Sequence, residues 1–139
     1  MSESLVSKTT VEPVRPRVYV AGPMRGRPNN NEDEFKYVTG GLRAMGFDVV
    51  SPLEVCADMP KGLEPEDYLR RDIAALVTCD GIVLLDGWHD SVGARAEAGV
   101  ALACGLKFYS VRGEPFAPGR IPRSIGVAGY DRPTAEALA

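Results

Sequence analysis

Histidine is nearly absent: His89 stands alone in 139 residues, which argues against a histidine-based metal centre. The three cysteines, Cys56, Cys79 and Cys104, lie far apart. They form no C-x-x-C pair, and an odd count makes a poor disulfide framework. They read instead as buried, reduced thiols of a cytoplasmic protein. No apolar run approaches the ~20 residues that cross a bilayer, and the first residues lack the basic-then-apolar order of a secretion signal. A net charge of -3 supplies no general attraction to a nucleic acid polymer or an anionic membrane, although a local basic patch for one phosphate remains compatible with it. A G-x-x-x-x-G-K-[ST] loop and a G-x-G-x-x-G fingerprint are both missing, as are internal repeats and low-complexity tracts.

What is present is the composition of one globular domain, 45% hydrophobic and 25% charged. Residues 1–15 are polar and irregular and read as a loose arm. Arg17 to Ala21 reads as a short buried strand closed by Gly22-Pro23, followed by a loop with two arginines, Arg25 and Arg27. A helix is expected next, with Asn31 as N-cap and Glu34 completing a capping box. Phe35, Val38, Leu42 and Met45 form its apolar stripe and Gly46 its stop. Gly40 and Gly41 lie inside it at about 1 kcal/mol each relative to alanine, and close packing on the sheet accounts for them.

Phe47 to Ser51 reads as a second strand stopped by Pro52, and Leu53 to Leu63 as a loop. A second helix is expected from Pro65 to Val77, with proline in its first turn. Gly81 to Leu85 is a continuous apolar run, suited to a strand covered on both faces. A turn spans Asp86 to Asp90, a third helix Ser91 to Cys104, and a fourth strand Lys107 to Val111. From about residue 112 the chain is rich in Pro and Gly and reads as an irregular tail, with a short strand near Gly126 to Gly129. The segment Glu114 to Arg123 fits a lid, an oligomer contact or a plain tail. The alternation of strand and helix predicts an α/β three-layer sandwich around a parallel sheet of four to five strands. Such sheets bind ligands at the carboxyl ends of their strands.

Two acids interrupt apolar stripes. On the third helix Gly93, Ala94, Glu97, Val100, Ala101 and Cys104 share a face, and Glu97 is its one charged member. On the second helix Asp72 stands among Leu69, Ile73 and Leu76. An inward carboxylate loses hydration and needs a partner. Two readings fit: structural acceptors or partners of a buried arginine, or a carboxylate nucleophile with a second acid nearby, as in glycosyl transfer with retention. Ser91-Val-Gly-Ala opens the third helix with free backbone N–H groups, a hydroxyl and small residues, which suits an anion. A phosphate between Ser91 and Arg25 places a bound sugar over the helix that carries Glu97. The plainer uses are Ser91 as N-cap and solvated loop arginines.

The motifs in order are Val18-Tyr-Val-Ala-Gly-Pro-Met-Arg25, Asn31 to Phe35, Tyr68-Leu-Arg-Arg-Asp72, Cys79-Asp80, Gly87-Trp88 and Ser91-x-Gly-x-x-x-Glu97. Together they cover about Arg17 to Val111, and the set resembles the nucleoside 2-deoxyribosyltransferase-like superfamily, in particular a phage and bacterial branch of mostly unassigned function. The resemblance implies a flavodoxin-like fold, a homodimer or higher oligomer, and cleavage or transfer at the bond between base and deoxyribose. It puts the nucleophile on Glu97, the acid that binds sugar and base on Asp72, the neighbouring tyrosine on Tyr19, and the loop beneath the substrate on Gly22. Six residues before the nucleophile the nucleoside transferases carry aspartate and the nucleoside-monophosphate hydrolases serine. Ser91 and Arg25 therefore favour a 5′-monophosphate. The chain departs from the pattern at Pro23, where the hydrolases often have a hydroxyl residue, and at Arg95, which is bulkier than usual and is expected to point away from Glu97.

Catalysis is accordingly expected at Glu97, Asp72 and Tyr19. Substrate binding is expected at Gly22, Pro23, Met24, Arg25, Asn31, Trp88, Ser91 and Gly93, with Trp88 and His89 either stacking on a base or forming a structural lid. Glu97 attacks C1′, the base leaves with a proton from Asp72 or water, and water or a second base takes the sugar. No metal or cofactor is required. The rival expectations are a nucleotide-binding protein without turnover, a glycohydrolase of another N-glycoside such as NAD or a ribonucleotide, and a plain interaction protein.

Overall fold

A computed structural model describes residues 16–112 and 126–129. Its strands are β1 (Arg17–Ala21), β2 (Asp48–Val50), β3 (Gly81–Leu84), β4 (Lys107–Arg112) and β5 (Gly126–Gly129). Its helices are α1 (Glu32–Ala44), the short α2 (Pro52–Val55), α3 (Pro65–Leu76) and α4 (Val92–Ala103), with 3-10 turns at Pro28–Asn31 and Trp88–Asp90. The sheet order is β2-β1-β3-β4-β5. The first four strands run parallel, with Tyr19 level with Val50 on one side and Ile82 on the other. The fifth is antiparallel to β4, Ser110 facing Ala128. The expected α/β three-layer fold is present, with the correction that the added edge strand is antiparallel.

Alternation along the strands divides the core in two, because successive side chains point to opposite faces. Val18, Val20, Val49, Val83 and Leu85 face α1 and bury Phe35, Val38 and Leu42. Each fully buried side chain of this size contributes roughly 1.5–3 kcal/mol. Tyr19, Ala21, Val50, Ile82 and Leu84 face the other way, against Leu76 of α3 and Ala94, Ala98 and Ala101 of α4. The two helices pack on each other and over β1. The alanines of α4 let its axis come close to the sheet.

Local departures from expectation have local causes. Asn31 is not an ordinary N-cap: it lies at φ +60, the third of three successive left-handed asparagines after Asn29 and Asn30. Its side chain instead donates to the Pro23 carbonyl and to Glu34 Oε1, both at 2.9 Å, and so ties the β1–α1 loop to the helix. The expected loop Leu53 to Leu63 begins inside α2, which Pro52 starts directly after β2. Helix α3 is capped by Glu64, whose backbone N–H donates to Asp67 Oδ2. Of the three free cysteines only Cys79 is buried; Cys56 is half-buried and Cys104 exposed. The buried stripe of α4 is Ala94, Glu97, Ala98 and Ala101, turned from the expected one so that Ala98 replaces Cys104 and Val100 and Gly93 are half-buried. The arm 1–15 and the segment Glu114 to Arg123 lie outside the described residues.

Candidate functional site

Glu97 lies on the buried side of α4, and only 6% of its surface is exposed. Tyr19 points from the middle of β1 toward it, and its hydroxyl donates to Glu97 Oε2 at 2.5 Å. An O–H donor to a carboxylate is at its shortest near this distance. Among the described residues this is the one side-chain hydrogen bond of Glu97, which leaves Oε1 for another partner. No arginine or lysine among the described residues pairs with Glu97. The reading of Glu97 as the partner of a buried arginine is thereby excluded for these residues.

Asp72 reaches the same place from α3. It is half-buried, and Cys56 Sγ, at the end of α2, lies 3.2 Å from its Oδ1. Four proton-bearing groups thus meet on the α3–α4 face of the sheet: Tyr19, Glu97, Asp72 and Cys56. Their electrostatics follow from burial without a counter-charge. Desolvation raises the Glu97 carboxyl to about 8; the Asp72 charge adds to the rise and the Tyr19 hydrogen bond opposes it. Desolvation likewise lifts Asp72 to about 6, opposed by the Cys56 bond. The Tyr19 phenol is pushed well above its ordinary value by burial first and the Glu97 charge second. Near neutral pH the two carboxyls together hold about one proton, and their titration belongs to the pair.

Two loops border this cluster from the carboxyl ends of β1 and β3. Gly22 is needed for close approach: a Cβ there would sit 2.7 Å from the Leu85 Cβ. Gly87 has φ +82, and the Arg27 guanidinium occupies the space its side chain would take, with Pro23 Cγ 3.5 Å from the same point. The β1–α1 loop therefore closes on the β3–α4 loop through Arg27 and Pro23. Ser91 caps α4, its Oγ accepting the Ala94 N–H at 3.1 Å. A Cβ at Gly93 would meet nothing nearer than Ser91 Oγ at 4.0 Å, so the first turn of α4 is open on that side. A lone pair of Ser91 is used by the cap, while its own proton stays available to an acceptor.

The expected residues divide accordingly. Glu97, Tyr19 and Asp72 come together. Gly22, Pro23, Ser91 and Gly93 line the adjoining loops. Arg25 and Arg27 are both exposed, and Arg27 lies on Gly87. Met24 packs against the opposite core, with the α1 cluster, and Asn31 serves the loop. Trp88 is buried in the same core cluster as Tyr19, Ala94 and Ala98, with the His89 ring against it at 3.8 Å between centroids, which makes it part of the core. Arg95 turns away from Glu97, as expected, and donates to the His89 carbonyl at 2.8 Å. Cys56 was missed. The Ser51-Pro-Leu-Glu54 pattern, a serine, a proline and a glutamate three residues on, is a helix-start signal that would have put Cys56 at the carboxyl end of β2.

No curated protein matches the chain. The family described as Domain of unknown function (DUF4406) matches residues 16–110, more than half of the chain, and the chain belongs to that family.

Proposed function

We propose that the protein is an N-glycosidase or deoxyribosyltransferase that acts on a deoxynucleoside 5′-monophosphate through a covalent glycosyl-Glu97. The observation that carries this reading is the buried Glu97 carboxyl, hydrogen-bonded by Tyr19 and approached by a second acid, without a cation among the described residues. An acid placed so is poorly stabilised in its charged form in the resting protein. Positive charge that develops at C1′ as the base leaves supplies the missing counter-charge, so the interaction is stronger in the transition state than before it. Tyr19 fixes Oε2 and leaves Oε1 to attack C1′. The C1′–N bond breaks, the base takes a proton from Asp72 or from water, and water or a second base then releases the sugar from Glu97.

The open first turn of α4, the Ser91 hydroxyl and the loop arginines suit the 5′-phosphate. Where Asp72 supplies the proton, Glu97 must be ionised and Asp72 protonated, the less populated arrangement of the single proton. Base release is therefore expected to follow a bell-shaped pH profile with limbs near 6 and 8.

The deciding measurement is liberation of free base from a panel of ribo- and deoxynucleoside monophosphates. Wild type is expected to release base from a deoxy member, and Glu97→Ala to be slower by at least ~10³-fold. Equal, background-level release by both proteins across the panel ends the enzymatic reading. Nucleotide binding that Glu97→Gln leaves intact, without turnover by wild type, favours a binding protein instead.

A further inference from the structure

Cys56 has a defined place for a residue outside any motif. Pro52 starts α2 at once after β2, and the helix ends at Cys56, whose backbone N–H donates to the Pro52 carbonyl at 3.1 Å. That single turn delivers the thiol to α3. Its Sγ lies 3.2 Å from Asp72 Oδ1 and 3.8 Å from the Tyr68 carbonyl oxygen. A thiol has one proton to give, and the shorter contact to the charged acceptor is the stronger. The same loop is held to α3 by Arg71, whose Nη1 lies 2.6 Å from Asp58 Oδ1.

We propose that Cys56 is the positioning residue of this site: its thiol donates to Asp72 Oδ1 and holds that carboxyl beside Glu97 in a set orientation. The inference rests on the N-glycosidase reading for its purpose, but the Cys56–Asp72 contact stands independently of it. Cys56, at the end of α2, faces Asp72 on α3, with Glu97 on α4 and Tyr19 on β1 as the other ionisable groups of the cluster. Arg71 and Asp58 flank the thiol itself. Burial is the first of the causes that raise the thiol to about 12. At neutral pH it is therefore a donor rather than a nucleophile, because the thiolate is the reactive form. A donor to the ionised carboxyl stabilises its charge and opposes the effect of burial. Without it Asp72 would keep its proton to higher pH and would lose a fixed rotamer.

The test is the carboxyl titration of Asp72, followed by 13C NMR in the full chain for wild type, Cys56→Ala and Cys56→Ser, beside the pH profile of base release. Cys56→Ala is expected to move the Asp72 midpoint up by about half a pH unit and to raise the acid limb of the rate profile with it. Cys56→Ser keeps a donor and is expected to restore both toward wild type. An unchanged midpoint in Cys56→Ala overturns the proposal, and so does a Cys56→Ser midpoint displaced as far as that of the alanine variant, which would assign the effect to packing. If the midpoint moves while no nucleotide loses its base, the positioning role stands and the N-glycosidase reading falls. If base is released and the midpoint does not move, the reverse holds.

Discussion

The two faces of the sheet are built from the same strands and do different things. Toward α1 the residues are Val18, Val20, Val83 and Leu85 against Phe35, Val38 and Leu42, all apolar and all buried. Toward α3 and α4 the strand residues alternate into Tyr19, Ala21, Ile82 and Leu84, and the helices answer with alanine, a glutamate and an aspartate. The first face gains its stability chiefly from apolar burial. The second gives part of it up, because an acid whose proton affinity is raised by burial favours folding less once it must ionise. The lesson is that one strand, β1, can anchor the core with Val18 and Val20 while Tyr19, between them, serves the site.

The sharpest contrast is expected from substituting one residue on each face. Phe35→Ala removes a fully buried ring on the α1 side and should lower stability by ~4 kcal/mol. The check is the denaturation midpoint, and a loss under about 1 kcal/mol would deny that this face carries the fold. Glu97→Gln should act in the opposite direction. The folded-state carboxyl sits at about 8 against an ordinary 4.5, so the folded protein binds more protons than the unfolded one between these values. Stability contributed by the protonated form is whole below pH 4.5 and is lost as pH rises to 8. The full displacement corresponds to on the order of 5 kcal/mol. Glutamine cannot ionise and still accepts from Tyr19, so the variant should match wild type near pH 4 and exceed it by a few kcal/mol at pH 8. Parallel stability curves for the two proteins from pH 4 to 8 would show that Glu97 is not buried in the way described. The smallest effect concerns the tyrosine between the faces. Tyr19→Phe withdraws the donor that lowers the Glu97 value, so the alkaline limb of base release should move up and the rate at pH 7 fall ~10-fold. Kinetics with both limbs unmoved would reduce Tyr19 to packing.

Much of this arrangement was legible in the residue order. Alternating apolar runs and periodic stripes placed four strands and three long helices, because each element must bury one face and the spacing betrays which. Glu97 and Asp72 were visible as charges on apolar stripes. Of the short elements, α2 was not, being a single turn too brief for periodicity to register; the strand Gly126–Gly129 was, but not its antiparallel place, which a β-α-β pattern does not announce. The phase of α4 was off by a fraction of a turn, since alanine and glycine weigh alike as small residues and only packing into the core on that face of the sheet decides which of them is covered.

By itself the sequence determined the alternation of elements, the parallel sheet and the two inward acids, since hydrophobic period and glycine or proline stops act over a few neighbouring residues. The tertiary structure alone decided that Tyr19, 78 residues from Glu97, gives it a proton bond, that Arg27 rather than Arg25 lies on Gly87, and that Cys56 meets Asp72. Contacts between side chains distant in the chain depend on crossover handedness, strand order and ångström-scale packing, and none of these is written in local spacing.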